Sequence, residues 1–128
     1  GAVFIFGKGG ISTKSVIKHS TFSHGSASNN GGLIYLSNGT LDVESSTFVN
    51  GFASHFGGAI HATDGSIMTI VSSTFRDNNA HSSGGAISML GGMMTMDACD
   101  ATNNEARRQG GAIYVVPSSV ALAHNKPR

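Results

Sequence analysis

Apolar and polar residues alternate in short blocks along this chain with a period of two, the mark of strands rather than helices. In one set of blocks Ile34 and Leu36, Ile60 and Ala62, Ile87 and Met89, and Ile113 and Val115 fall on a common face. A second set, Leu41 and Val43, Met68 and Ile70, and Met94 and Met96, follows each of the first three. Turn residues separate the two sets: Ser37-Asn38-Gly39, Thr63-Asp64-Gly65 and Gly91-Gly92.

The blocks belong to a repeat. Gly31-Gly32-Leu33-Ile34, Gly57-Gly58-Ala59-Ile60, Gly84-Gly85-Ala86-Ile87 and Gly110-Gly111-Ala112-Ile113 begin 26, 27 and 26 residues apart. Nine residues before each glycine pair stands Phe22, Phe48, Phe75 or Ala101, and five after that slot stands Ala27, Ala53, Ala80 or Ala106. Three after the slot come Gly25, Gly51, Asn78 and Asn104, residue types that readily take positive φ, so this position is expected to make the bend. Gly1-Ala2-Val3 is a partial copy, and its step of 31 residues to Gly32 implies an insertion of about five residues within Gly7-Lys8-Gly9-Gly10.

Helices are excluded, since a glycine pair every 26 residues would cost each helix roughly 2 kcal/mol. The pattern instead predicts an all-β fold, a right-handed parallel β-helix of about 26 residues per coil and four to five coils. The right hand follows the general bias of parallel crossovers. Residues 1–128 form a single segment whose coils start near Gly1, Gly31, Gly57, Gly84 and Gly110. At a coil spacing of about 4.8 Å, Phe22 over Phe48 over Phe75 makes an aromatic stack and the isoleucines an aliphatic one. Ser20, Ser46, Ser73 and Cys99 form an inward column of small side chains, which makes Cys99 a buried small hydrophobe rather than a reactive thiol.

Phe75-Arg76-Asp77-Asn78 followed by Gly84-Gly85-Ala86-Ile87 resembles the paired FxxN and GGA(I/L/V) motifs of the chlamydial polymorphic outer membrane protein repeat, within the right-handed parallel β-helix (pectin-lyase-like) superfamily. The resemblance spans roughly Phe22 to Ile113. It departs at Phe22 and Phe48, followed three residues on by Gly, and in the last unit, where Ala101 replaces Phe. It implies a rod of a secreted or surface-displayed protein used for adhesion or architecture, hence an extracellular or cell-surface location, and it does not imply catalysis.

Composition narrows the partners. Lys and Arg number 8 against 7 Asp and Glu, with no basic cluster longer than Arg107-Arg108, so nucleic acid is not an expected ligand. No run approaches the eighteen or so apolar residues of a spanning helix, so membrane insertion by this segment is not expected either. One cysteine makes no internal disulfide, and six histidines scattered over unrelated slots make no ligand set, so no metal and no cofactor is expected.

Two surface features carry possible chemistry. The outward face of the strand after the glycine pair presents Phe4, Tyr35, His61, Ser88 and Tyr114, and in the β-helix enzymes and sugar-binding β-helices this sheet commonly faces the ligand. Tyr35, His61, Ser88 and Tyr114 are therefore a candidate glycan-binding strip, although Tyr and His also favour exposed strand positions with no ligand at all. Asp42 and Glu44 share an outward face roughly 6.6 Å apart, a separation that would suit an inverting glycosidase. Both would be solvated, with nothing acidic stacked at Thr69 or Thr95, and no catalytic residue is assigned. Asp64 before Gly65 reads as turn chemistry rather than calcium binding.

Asn38-Gly39-Thr40 is an N-glycosylation sequon at a predicted exposed turn, which makes Asn38 a candidate glycan attachment site. Solenoids need polar caps, and neither Gly1 nor the stretch Val120-Ala121-Leu122 reads as one. The expectation is a fragment of a longer repeat protein, packing end to end with further coils of the parent chain or with other subunits, and serving as a non-catalytic structural or adhesive module. The competing expectation is a carbohydrate-binding or polysaccharide-degrading β-helix.

Overall fold

The computed structural model describes residues 3–7 and 14–116. Four coils follow one another. The first contains β1 (Val3–Phe6), β2 (Lys14–Lys18), β3 (Thr21–Ser23) and β4 (Ser26–Ala27). The second contains β5 (Ile34–Ser37), β6 (Thr40–Glu44), β7 (Thr47–Val49) and β8 (Phe52–Ala53), and the third β9 (Ile60–Thr63), β10 (Ile67–Val71), β11 (Thr74–Arg76) and β12 (Asn79–Ala80). The fourth has β13 (Ile87–Leu90), β14 (Met93–Asp97), β15 (Asp100–Thr102) and β16 (Glu105–Ala106), and β17 (Ile113–Val116) opens a further winding. No helix occurs among the described residues.

Strands one coil apart pair in parallel, giving a five-stranded sheet β1-β5-β9-β13-β17 and three four-stranded sheets. The pairing is the one the repeat predicts: Ile34 sits on Ile60, Ile60 on Ile87, and Ile87 on Ile113. The Phe and Ala slots are themselves strands, too short to show an alternation, so each coil has four sides rather than two. In the first coil the register runs from Phe6↔Ser37 to Lys14↔Thr40, offsets of 31 and 26, so the five extra residues lie between Phe6 and Lys14. Gly1, Ala2, Lys8 to Gly10 and Val120 to Leu122 lie outside the described residues.

Bends fall one residue earlier than the glycine and asparagine pattern suggests. His24, Asn50, Asp77 and Asn103 carry the positive φ, and Gly25, Gly51, Asn78 and Asn104 do not. Glycine serves close approach there instead, since a Cβ on Gly51 would lie 2.3 Å from the carbonyl oxygen of Gly58. Asn78 turns inward and is fully buried. Its Oδ1 accepts from Gly51 N at 2.8 Å and its Nδ2 donates to Phe48 O at 3.0 Å and to Asn104 Oδ1 at 3.0 Å. Asn104 continues the ladder, accepting from Asn78 N and donating to Phe75 O at 2.9 Å. A second ladder runs up the serine column: Ser20 N donates to Ser46 Oγ and Ser46 N to Ser73 Oγ at 3.1 Å, while each hydroxyl donates to the carbonyl two residues back. Cys99 ends that column, half-buried, with its thiol against Asp97 O.

Between the ladders lies the core. Phe22, Phe48 and Phe75 stack with ring centroids 5.2 and 4.8 Å apart and planes within 3° and 6° of parallel. Leu41, Met68, Ile70, Leu36 and Met89 complete it, all fully buried. The first residue of every glycine pair supplies a left-handed bend, and the second residue of the first three pairs lets coils touch, since a Cβ on Gly85 would lie 2.1 Å from Gly111 O.

Two stability outcomes follow. Phe48→Ala, which empties the middle of the stack, is expected to cost about 3–5 kcal/mol in urea unfolding, and Phe22→Ala, stacked on one side and only half-buried, about half as much. Gly85→Ala is expected to cost on the order of 3 kcal/mol. Gly111→Ala, whose Cβ would find its nearest neighbour 3.6 Å away, should stay within about 0.5 kcal/mol of the parent chain.

Candidate functional site

The outward face of the five-stranded sheet places Phe4, Tyr35, His61, Ser88 and Tyr114 in one column, each paired in register with the next. It is not the open strip expected of it. Phe4 is 67% exposed and Tyr35 and Tyr114 are half-buried, but His61 is 2% exposed and Ser88 not at all. The cover is Phe56, from the segment leading into the Gly57-Gly58 bend. Its ring stacks on His61 at 5.9 Å and on Tyr114 at 6.4 Å, the two rings that flank Ser88. With Phe4 on Tyr35 at 5.2 Å and Tyr35 on His61 at 5.3 Å, five rings form a continuous series whose gap at Ser88 is bridged from outside the column.

Burial here has an electrostatic cost. His61 Nδ1 and Ser88 Oγ are both buried with no hydrogen-bond partner. Desolvation holds the His61 imidazole down, to about 4 from an ordinary 6.5, against the opposing pull of the nearby Asp64 carboxylate. The ring is therefore neutral at physiological pH. Asp64 also accepts a hydrogen bond from Ser37 Oγ at 2.9 Å, as a turn residue with φ of 59°.

Asp42 and Glu44 occupy a different face, the sheet formed by β14, β10, β6 and β2. Lys14 Nζ lies 3.3 Å from Asp42 and Lys18 Nζ 4.0 Å from Glu44, contacts between neighbouring coils that counting back 26 residues from the Phe48 slot to the Phe22 slot could have found. With Val16, Thr69 and Val71 these groups line a shallow groove of about 320 Å³. Each carboxylate has a lysine ammonium beside it, Asp42 half-buried and Glu44 exposed.

The remaining candidates stand apart from these faces. His24 pairs with Asn50 at 3.3 Å, and His81 meets the edge of Phe52. Among the described residues no group of three or more His, Cys, Asp or Glu is placed to hold a metal ion. Asn38 is exposed at its turn, and its Nδ2 donates to Gly7 O at 3.2 Å.

In comparison with known proteins, the model of the family described as right handed beta helix region matches residues 2–126. No curated protein and no solved structure matches the chain. The chain belongs to the right-handed β-helix family.

Acid titration reports on the buried imidazole. Because its pKa is lower folded than unfolded, folding favours the neutral ring; that stability is complete above pH 6.5 and is lost as pH falls toward 4, by up to about 3 kcal/mol. His61→Phe keeps a ring in the column, and urea unfolding across this range is expected to show that part of the acid sensitivity gone.

Proposed function

We propose that this right-handed β-helix is a non-catalytic structural or adhesive module of a secreted or cell-surface protein. The observation that carries the reading is the direction of its polar chemistry. The Ser46–Ser73 and Asn78–Asn104 ladders and the Lys14–Asp42 and Lys18–Glu44 pairs all join one coil to the next, which builds a rod and engages both members of the Asp42–Glu44 pair in ion pairs between coils. The likeness of the Phe75–Asn78 and Gly84–Ile87 motifs to the chlamydial surface-protein repeat supports display outside the cell.

Partners in this reading are further coils of the parent chain or other subunits, pairing along the coil axis, and glycans on the side walls. Asn38, exposed in its sequon, is the attachment point for a glycan of the protein's own, and its hydrogen bond to Gly7 needs only one of the two amide hydrogens. A second reading, carbohydrate binding through the outward face of the five-stranded sheet, is favoured by Phe4 and Phe6, 67% and 59% exposed, beside Tyr35.

A reducing-sugar assay over plant, algal and bacterial polysaccharides together with a glycan array tests both. No turnover is expected, and Asp42→Asn should leave the assay at background. Turnover abolished by Asp42→Asn would overturn the non-catalytic reading, and array binding lost in Tyr35→Ala would favour the second.

A further inference from the structure

The outward aromatic column contains a mismatch between a site and its occupant. Ser88 is the one small residue between His61 and Tyr114, and two coil steps separate those rings by about 9.6 Å. Phe56 lies 5.9 Å from one and 6.4 Å from the other, and because those distances together exceed the gap, its ring sits off the line of the column, over Ser88 rather than in its place. Its plane is within 25° of His61 and 11° of Tyr114. Two rings about two coil steps apart thus leave room for one six-membered ring between them, and a half-buried side chain with no polar atom covers it. Beneath that side chain His61 Nδ1 and Ser88 Oγ go unpaired, a penalty of about 1–3 kcal/mol for each such group in general.

A well-packed core would carry an apolar residue at position 88, or a hydroxyl-bearing ring at position 56. Neither is present, so His61 Nδ1 and Ser88 Oγ add no bond between coils, although the His61 ring stacks on Tyr35 and Phe56. Phe56 belongs to none of the strands, and its main chain is held on both sides: its N–H bonds Asn30 Oδ1 at 3.1 Å, its carbonyl accepts from Gly31 N at 2.9 Å, and it bridges to Ser83. The lid is therefore the side chain alone, and a rotation about its side-chain bonds uncovers the slot without breaking a sheet.

The geometry points to a saccharide slot between His61 and Tyr114, floored by Ser88 and occupied in the free protein by Phe56. A pyranose ring placed there stacks its C–H face on Tyr114, while its hydroxyls, each both donor and acceptor, pair with Ser88 Oγ and His61 Nδ1. The inference deepens the carbohydrate-binding reading above by giving it one site and one gate; it needs no catalysis. The walls and floor come from three successive coils, and hence the site exists only in the wound chain.

The test is an NMR titration of the whole chain with the methyl β-pyranosides of glucose, galactose and N-acetylglucosamine, followed at the His61 ring and at the Ser88 and Tyr114 amides. Phe56→Ala removes the competing ring and is expected to tighten binding about tenfold or more, as it should if the open state is populated at about one part in ten or less. Ser88→Ala keeps Phe56 and the coil packing in place, so it remains informative even where Phe56→Ala folds poorly. It is expected to weaken sugar binding about fivefold or more while leaving the unfolding midpoint unchanged or higher, because it deletes an orphaned oxygen. A merely structural serine would leave binding untouched. Glycan-array binding by the parent chain that neither variant alters would overturn the slot and leave surface recognition at Phe4, Phe6 and Tyr35 standing. Absence of saccharide binding from all three proteins would overturn both. Phenol bound as tightly as the pyranosides would overturn the saccharide assignment.

Discussion

Main-chain pairing between identical positions of successive coils, repeated on four sides, is the constraint from which the rest of this molecule follows. Once Ile34 is fixed on Ile60 and Phe48 on Phe75, every side chain has its own equivalents as neighbours along the axis. For apolar slots that is favourable without further design. Polar slots face a stricter condition, because a group stacked on its own kind must both give and accept a hydrogen bond. Asparagine and serine meet it, and they are the residues found at the buried corners, whereas a column of aspartates would set like charges about 4.8 Å apart.

The same constraint accounts for the poverty in bulky residues. A coil whose sides are two to five residues long encloses a narrow interior, filled by one ring and a few aliphatic chains in each of the first three coils, and Gly32, Gly58 and Gly85 carry no side chain because the neighbouring coil's carbonyl occupies that space. Loops are treated differently. Five additional residues between Phe6 and Lys14 leave both flanking strands paired, since a loop leaving the coil and returning costs only its own closure entropy while the register on either side is restored.

What the sequence made legible was whatever recurs. Alternation and the glycine pairs located the two longer sides of each coil, and the Phe and Ala slots marked the other two without revealing that they were strands. The bends were assigned one residue late because the residues that take them, His24, Asn50, Asp77 and Asn103, or Ser45, Ser72 and Ala98 at the serine corner, share no identity that periodicity could detect. Asn78 drew notice for its tolerance of positive φ, yet it is there for its amide, a role visible only when the coil beneath supplies Gly51, Phe48 and Asn104 as partners. On the outward face the column of Tyr35, His61, Ser88 and Tyr114 was correctly aligned and wrongly exposed. Phe56, which covers it, occupies the position held by Ser83 and Gln109 in the next two coils, so a single unmatched ring carried no periodic signal.

That failure says where specificity can reside in a solenoid. Interior columns are held by packing to side chains that fill the core or bond along the axis, as Leu36, Ala62 and Met89 do in one column, and any function there would compete with the fold. Outward columns are held only to spacing, and a large side chain can lean across levels wherever a neighbour is small. The substitution of Ser88 into an otherwise aromatic column is such a place: it opens a gap whose height is set by the coil spacing and whose walls are rings already immobilised by the sheet. A departure of one residue from the repeat therefore yields a preformed recess, and a second departure, Phe56, yields its closure. Ser88 lies on a strand paired on both sides, β13 between β9 and β17, and neither departure disturbs the interior Phe48–Phe75 stack.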